Sequence, residues 1–303
     1  MMAARLGEIA ALSTALLWAF TALFFAAAGA RIGSLVVNFV RLVMALALFA
    51  AGSTILHGHP LPLDASAHAW LWLSVSGLVG FTFGDLCLFR ALVVLGPRLS
   101  SLIMSFAPPL TACLGWIVLR ESLRWTDVCG MTLTLGGIAW AIVDRTPPSA
   151  AATAPELSGR AKLVGVLLAF GGALGQAGGL VLSKHGMGDY DAFSATQIRV
   201  IAGGAGFAVL FTLTGWWPKV LVGLRDRTAL SFTAGGAIFG PFLGVWLSLI
   251  AVQHTTTGVA ASLMATAPIL IIPLVVLLRR ERVGVGGVGG ALLAVAGVIL
   301  LFA

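Results

Sequence analysis

Two arginines and one aspartate stand where a hydrophobic chain tolerates charge least. Arg41, in VVNFVRLVMAL, and Arg199, in ATQIRVIAGG, fall well inside long apolar runs, and Asp85, in GFTFGDLCLFRAL, is the deepest carboxylate. A charged side chain at such depth is costly, so it faces a bundle interior, a polar cavity or a partner charge. The functional reading is a pair of cationic positions able to meet a carboxylate, with Asp85 as their counter-ion or as acceptor of a coupling proton. The structural reading is that each arginine snorkels to an interface or ties down a helix end, with Asp85 in a structural ion pair. Asn38, Gln176 and Gln197 are uncharged polar groups inside apolar runs, suited to a pathway or to gluing helices by hydrogen bonds. Trp18, Phe81 and Trp246 lie deep enough to line a cavity, or to pack. Met104 and Met264 would add a soft wall that accepts varied shapes.

Other chemistry has little support. The chain has no HExxH, no GxSxG with partners, no Cys/His cluster at metal spacing and no GxxxxGK[ST] phosphate loop. No catalytic residue, metal or cofactor is expected, and the chain does not read as an enzyme. Cys87, Cys113 and Cys129 lie within apolar runs and read as small buried hydrophobes. Glu8, one turn into the first run, reads as an interfacial carboxylate.

The elements that must position these residues are helices. Of the 303 residues, 59% are hydrophobic and 10% charged, against roughly 25% charged in an ordinary globular domain. Apolar runs of bilayer-spanning length recur throughout, predicting ten helices at 6–28, 34–56, 69–94, 99–120, 124–143, 162–184, 191–215, 229–253, 258–279 and 283–303. The net charge of +7 sits singly between these runs, where it sets topology and meets lipid headgroups, so nucleic acid is discounted. The start of the chain reads as a retained first helix.

An internal duplication organises the ten. Adding 160 carries Met104 onto Met264, Pro108 onto Pro268 and Arg120-Glu121 onto Arg280-Glu281, and the same frame carries Gly80, Gly84, Gly130 and Gly137 onto Gly240, Gly244, Gly290 and Gly297. Residues 1–143 then form a first five-helix repeat, 144–161 a Pro/Ala/Ser-rich linker and 162–303 the second repeat. An odd number of spans inverts the second repeat in the membrane. In that plan substrate binds near the midplane, and paired segments interrupted by Gly or Pro point to the site. Pro108, Pro109, Pro241 and Pro268 are the expected helix kinks. Orientation conflicts with the positive-inside rule if the N-terminus is cytoplasmic: Arg5, Arg120, Arg124 and Lys184 would be inside, against a larger set outside that includes Arg31, Arg98, Arg145, Lys219 and Arg280.

The duplicated five-helix unit and the paired motifs SLIMSFAPPLTACLGWIVLRESL and ASLMATAPILIIPLVVLLRRER resemble the drug/metabolite transporter superfamily, specifically its EamA-type ten-helix permeases. The resemblance covers nearly the whole chain. It implies an all-α integral membrane protein, with two inverted five-helix repeats around a central cavity bordered by the third, fourth, eighth and ninth helices. It also implies a secondary transporter of small metabolites, amino acids including aromatic ones foremost, in a bacterial inner membrane. The expected partners are a small-molecule substrate and the lipid bilayer, with no obligate protein partner. Efflux of drugs or quaternary ammonium compounds by proton antiport is the alternative, and would rest on Asp85. An intramembrane enzyme or a scaffold is the non-transport alternative.

Overall fold

The structure, a computed structural model, describes residues 5–144, 159–270 and 285–302. In the first half α1 (Leu6–Ile32) and α2 (Ser34–His57) turn about Gly33, whose φ of 82° lies in the left-handed region that glycine enters without a Cβ clash. Next come α3 (Ala67–Gly77), a π-helical segment π1 (Leu78–Gly84), α4 (Asp85–Met104), α5 (Ala107–Leu119) and α6 (Trp125–Asp144). The second half holds α7 (Gly159–Met187), α8 (Ala192–Thr214), the short α9 (Trp217–Gly223), α10 (Arg227–Ala237), π2 (Ile238–Gly244), α11 (Val245–His254), α12 (Thr257–Met264) and α13 (Val285–Leu301). No strand occurs among the described residues.

Eight helical stretches among the described residues are long and apolar enough to cross a membrane, and Thr257–Leu270 and Gly286–Leu301 are shorter apolar helices. The expected spans 258–279 and 283–303 fall on these two, with 271–284 outside the described residues. Within α4 the backbone breaks at Gly96, at φ 80°, so one span ends there and the next starts at Leu99. α6 and α7 enter the expected 144–161 linker from both sides, and 145–158 lies outside the described residues. The connection between the expected spans 191–215 and 229–253 contains α9, an element too short to give a periodic signal.

Each half breaks at equivalent places. π1 and π2 coincide under the shift of 160, and so do the helix interruptions at Ser105-Phe106 and Ala265-Thr266. A π-turn moves a carbonyl to the i−5 position, and the glycine closing each segment makes room for it. A Cβ on Gly84 would lie 3.2 Å from the Val79 oxygen, and one on Gly244 would lie 2.7 Å from the Phe239 oxygen. Pro241 sits inside π2, where its missing donor favours the wider turn, while Phe81 takes that place in π1.

The prolines expected as mid-helix kinks are placed differently. Pro108 and Pro109 occupy the first turn of α5, where a missing backbone N–H goes unnoticed, and the break precedes them. Pro268 occupies the matching turn after Thr266.

The halves interlock. α1 of the first packs on α10, π2 and α11 of the second, and α7 of the second packs on α3, π1 and α4 of the first. α6 and α13 cross reciprocally: a Cβ on Gly137 would meet the Gly290 oxygen at 2.4 Å, one on Gly290 the Gly137 oxygen at 2.5 Å, and one on Gly130 the Gly297 oxygen at 3.0 Å. Since Gly290 and Gly297 are Gly130 and Gly137 shifted by 160, these exchanged contacts are what an approximate two-fold between the halves produces. Only glycine lets two helix backbones approach so closely.

At the end of the bundle where α1 finishes, Arg31 donates through Nε to Asp226 Oδ2 at 2.8 Å, joining the halves. Asp226 also caps α10, its Oδ1 accepting from the Ala229 N–H at 2.9 Å. The backbone donor, then Arg31, holds this carboxyl below the usual aspartate range. A depressed folded pKa gives stability that is present above the unfolded value and lost as pH falls through the folded one. The acid limb of a thermal-stability profile should therefore flatten in Asp226→Asn, which cannot change its charge.

Candidate functional site

Arg41 projects from α2 and Asp85 opens α4 directly after π1, and the two form an ion pair through Arg41 Nη2 and Asp85 Oδ2. Their side chains keep 14% and 22% of their exposure, so the pair is mostly but not wholly enclosed. Asn38, one turn before Arg41 on the same face, also reaches towards Asp85, yet both its amide atoms are buried with no hydrogen-bond partner. The Arg41 guanidinium lies over Phe25, 5.3 Å from the ring centroid. π1 puts the carboxylate here. The wide turn rotates α4 relative to α3, so Asp85 points back at α2.

Arg199, on α8, enters from the other half. Its guanidinium lies 5.0 Å from the Phe81 centroid and within electrostatic reach of Asp85. It is 5% exposed, and its Nε has no acceptor. α8 comes this close because residue 77 is glycine: a Cβ there would stand 2.3 Å from the Arg199 carbonyl oxygen. Two guanidinium groups and one carboxylate thus share one region, with one basic group more than acidic.

The remaining candidates separate. Gln176 is exposed, although it lies on the inward face of α7. The outward stripe of that helix is Leu163, Leu167, Phe170 and Leu174, all exposed apolar side chains, and Gln176 lies about 200° round from Leu174. Its neighbours on the inward face, Ala169, Ala173, Leu180 and Ser183, are buried. Trp18 is half-buried with its indole nitrogen against Gly244. Trp246 meets Phe193 edge-on at 5.3 Å, in a cluster with Phe49 and Phe242. Met104 is half-buried beside the α4–α5 break, whereas Met264 is 3% exposed and belongs to the core. Gln197 is fully buried and donates through Nε2 to the Pro60 carbonyl at 2.6 Å, tying down the α2–α3 loop.

One polar cluster has no counterpart in the sequence reading. Glu121 Oε1 accepts from Lys184 Nζ at 2.7 Å, while Oε2 accepts from the Thr257 N–H at 2.9 Å and hydroxyl at 2.6 Å. Lys184 also donates to the Thr255 carbonyl at 2.7 Å. The cluster latches the first half, at the end of α5, to α7 and the α11–α12 turn of the second. Gly115 makes it possible, because a Cβ there would stand 2.7 Å from Glu121 Oε2. The signal available was the repeated Arg-Glu pair, though spans alone do not say what the glutamate meets. Nearby, the Tyr190 hydroxyl donates to Asp64 at 2.9 Å. Burial, then this carboxylate, pushes the phenol up to about 12. Glu121→Ala should cost about 2 kcal/mol, since charge-assisted hydrogen bonds are lost and Lys184 remains at an enclosed site; a melting series against Glu121→Gln measures it.

Two repeats that exchange equivalent contacts, matched π-segments, a charged cluster after the first of them, and eight apolar spans among the described residues describe a two-repeat, multi-span membrane protein. The model of the EamA-like transporter family matches residues 5–143 and 163–303, one match on each repeat. The chain belongs to the EamA-like transporter family. An EamA-like protein is a multi-pass membrane permease for small molecules, and these helices fit that description. A solved structure titled only "Crystal structure of protein" is similar to this EamA-like chain, with a TM-score of 0.77 and 18% identity, over 97% of this chain and 95% of that one. At that identity the likeness speaks for the fold alone. Comparison with curated proteins gives no match.

Proposed function

We propose that this protein is a secondary transporter that carries small metabolites, amino acids including aromatic ones foremost, by alternating exposure of a cavity between its two repeats. The single observation that carries this reading is the exposure of Gln176 on the inward face of α7, a polar side chain open to space where its neighbours are closed. An interior recess between the repeats supplies that space, and it is where an inverted-repeat carrier binds its substrate. Ten spans complete the plan, with the shorter apolar helices as the ninth and tenth. The Glu121–Lys184 latch closes one end of the bundle, and its breaking exposes the recess to that side. Hinging falls at the paired breaks, Ser105-Phe106 and Ala265-Thr266, and Pro108 and Pro268 keep each following helix from continuing the preceding one. A bacterial inner membrane is the expected location.

Efflux of quaternary ammonium compounds is the second reading, and it needs a carboxylate free to meet a cation. Asp85 is held by Arg41 and shares its region with Arg199, so the local charge disfavours a cation. Counterflow in proteoliposomes, with labelled phenylalanine, leucine and alanine beside a quaternary ammonium dye, decides between them. Accumulation of an amino acid without added energy is the expected result. Movement of the dye alone would transfer the case to drug efflux.

A further inference from the structure

Arg199 is the anomaly that the transporter reading leaves open. It is 95% enclosed, and its Nε is buried with no hydrogen-bond partner among the described residues. Buried guanidinium groups almost always find acceptors, because an unsatisfied charged donor is expensive. Phe81 lies against the group, its ring centroid 5.0 Å from the guanidinium carbon. Gly80 lies beside the group: a Cβ there would stand 3.5 Å from Nη2, 3.6 Å from the Gly179 Cα and 3.9 Å from the Gly175 oxygen, so a larger side chain would crowd the guanidinium.

The repeat explains why the partner is missing. Arg199 corresponds to Arg41 at an offset of 158, and where Arg41 has Asp85 the residue equivalent to Asp85 in the second repeat, at an offset of 160, is Val245. One repeat carries a complete ion pair and the other carries half of one. Among the described residues, Asp85 is the one carboxylate well inside an apolar span, Ala67–Gly96, and its Oδ2 is already committed to Arg41.

Building on the proposed transporter and narrowing its substrate class, we infer that Arg199 anchors the anionic group of the substrate, so that the site binds solutes of net single negative charge more tightly than the zwitterionic amino acids it also carries, and cations least. A carboxylate arriving at Arg199 completes the second ion pair through the two parallel hydrogen bonds that a guanidinium edge offers. The ammonium of a free amino acid would find no unpaired anion and two guanidinium groups nearby. The favoured class is therefore a monocarboxylate whose amine is absent or masked, such as an oxo acid or an N-acyl amino acid.

The test measures binding by calorimetry on the full chain in lipid nanodiscs, with three probes of one skeleton: 2-phenylethanesulfonate, a permanent monoanion; phenylalanine; and phenethylamine. The sulfonate is expected to bind at least about tenfold more tightly than phenylalanine, with phenethylamine weakest. Arg199→Gln should weaken sulfonate binding roughly tenfold or more, the equivalent of losing one charge-assisted hydrogen-bonding partner. Arg199→Lys keeps the charge without the fork, and should fall between; it decides the matter if the glutamine variant does not fold. Equal sulfonate affinity in wild type and variant, or a wild-type preference for phenylalanine or phenethylamine, overturns the inference. Phenylalanine counterflow run in parallel separates the two readings. Transport without sulfonate binding removes the anion site and leaves the amino-acid carrier. Arg199-dependent binding without amino-acid counterflow does the reverse.

Discussion

Asp85→Asn is expected to destabilise the protein by about 3 kcal/mol and to abolish transport, because it leaves Arg41 and Arg199 without the one anion near them. Breaking an enclosed ion pair by removing one partner costs about 3–5 kcal/mol, and the residual exposure of Asp85 and Arg41 argues for the lower end. Arg41→Leu should be nearly as harmful, since it strands the carboxylate. The double variant Arg41→Leu/Asp85→Leu should recover much of the loss, as replacing both partners by apolar groups often does. Recovery should be incomplete, because Arg199 then has no counter-charge at all. Heat-unfolding midpoints of the four proteins in one lipid mixture give the coupling energy. An additive cycle, with no recovery in the double variant, would mean that the pair does not act as a unit.

Gly175→Leu should force the two halves apart at the close contact between α7 and π1. A Cβ at residue 175 would lie 2.6 Å from the Gly84 Cα and 3.0 Å from the Val79 oxygen, both backbone atoms that cannot swing aside. Overpacking typically costs about 1–3 kcal/mol, and a branched side chain wedged between two backbones belongs at or above the top of that range. The damage reaches function directly, because Gly84 precedes Asp85 and displacing π1 shifts the carboxylate relative to Arg41. Transport should fall more than about tenfold, which is the effect expected of an approximately 1 Å misplacement at a binding site. The equivalent crossing in the other half is built differently: Trp18 and Phe25 of α1 fill the space over Gly244 and Gly236. Gly204→Ala is the control, since a Cβ there meets nothing within 4 Å. Its helix propensity should make it neutral or slightly stabilising.

The duplication was legible in the sequence because it rests on residues whose backbone roles are distinctive. Glycines and prolines repeated in one frame are backbone instructions, and the structure turns them into the paired π-segments and the crossing of α6 with α13. The π-segments themselves were not legible. LVGFTFG and IFGPFLG read as ordinary apolar helix, and widening by one residue changes no periodicity over so short a stretch. The mid-span charges were also visible, since a lone arginine in an apolar run stands out against its surroundings. Whether Asp85 meets Arg41 or Arg199 depends on helix rotation, and the π-turn sets that rotation. Gln197 and Gln176 looked alike as polar residues within spans. Only their helix faces separate them, one turned to the Pro60 carbonyl and the other to open space. Pro108 and Pro109 stand just after a helix break rather than within a kinked helix, and a proline at the first turn of a helix and one in its middle give the same local sequence signal.

An aqueous recess between the repeats is the central claim, and thiol labelling at Gln176 tests it most directly. Cys87, Cys113 and Cys129 are first replaced by serine or alanine, and Gln176→Cys and Leu167→Cys are then made separately in that background. A membrane-impermeant maleimide should label position 176 in intact proteoliposomes and leave position 167, on the outward apolar stripe of the same helix, unlabelled; a saturating transported solute should slow the reaction at 176. Labelling at 167 with none at 176 would place the inward face of α7 in a dry core and remove the cavity on which the transport account stands.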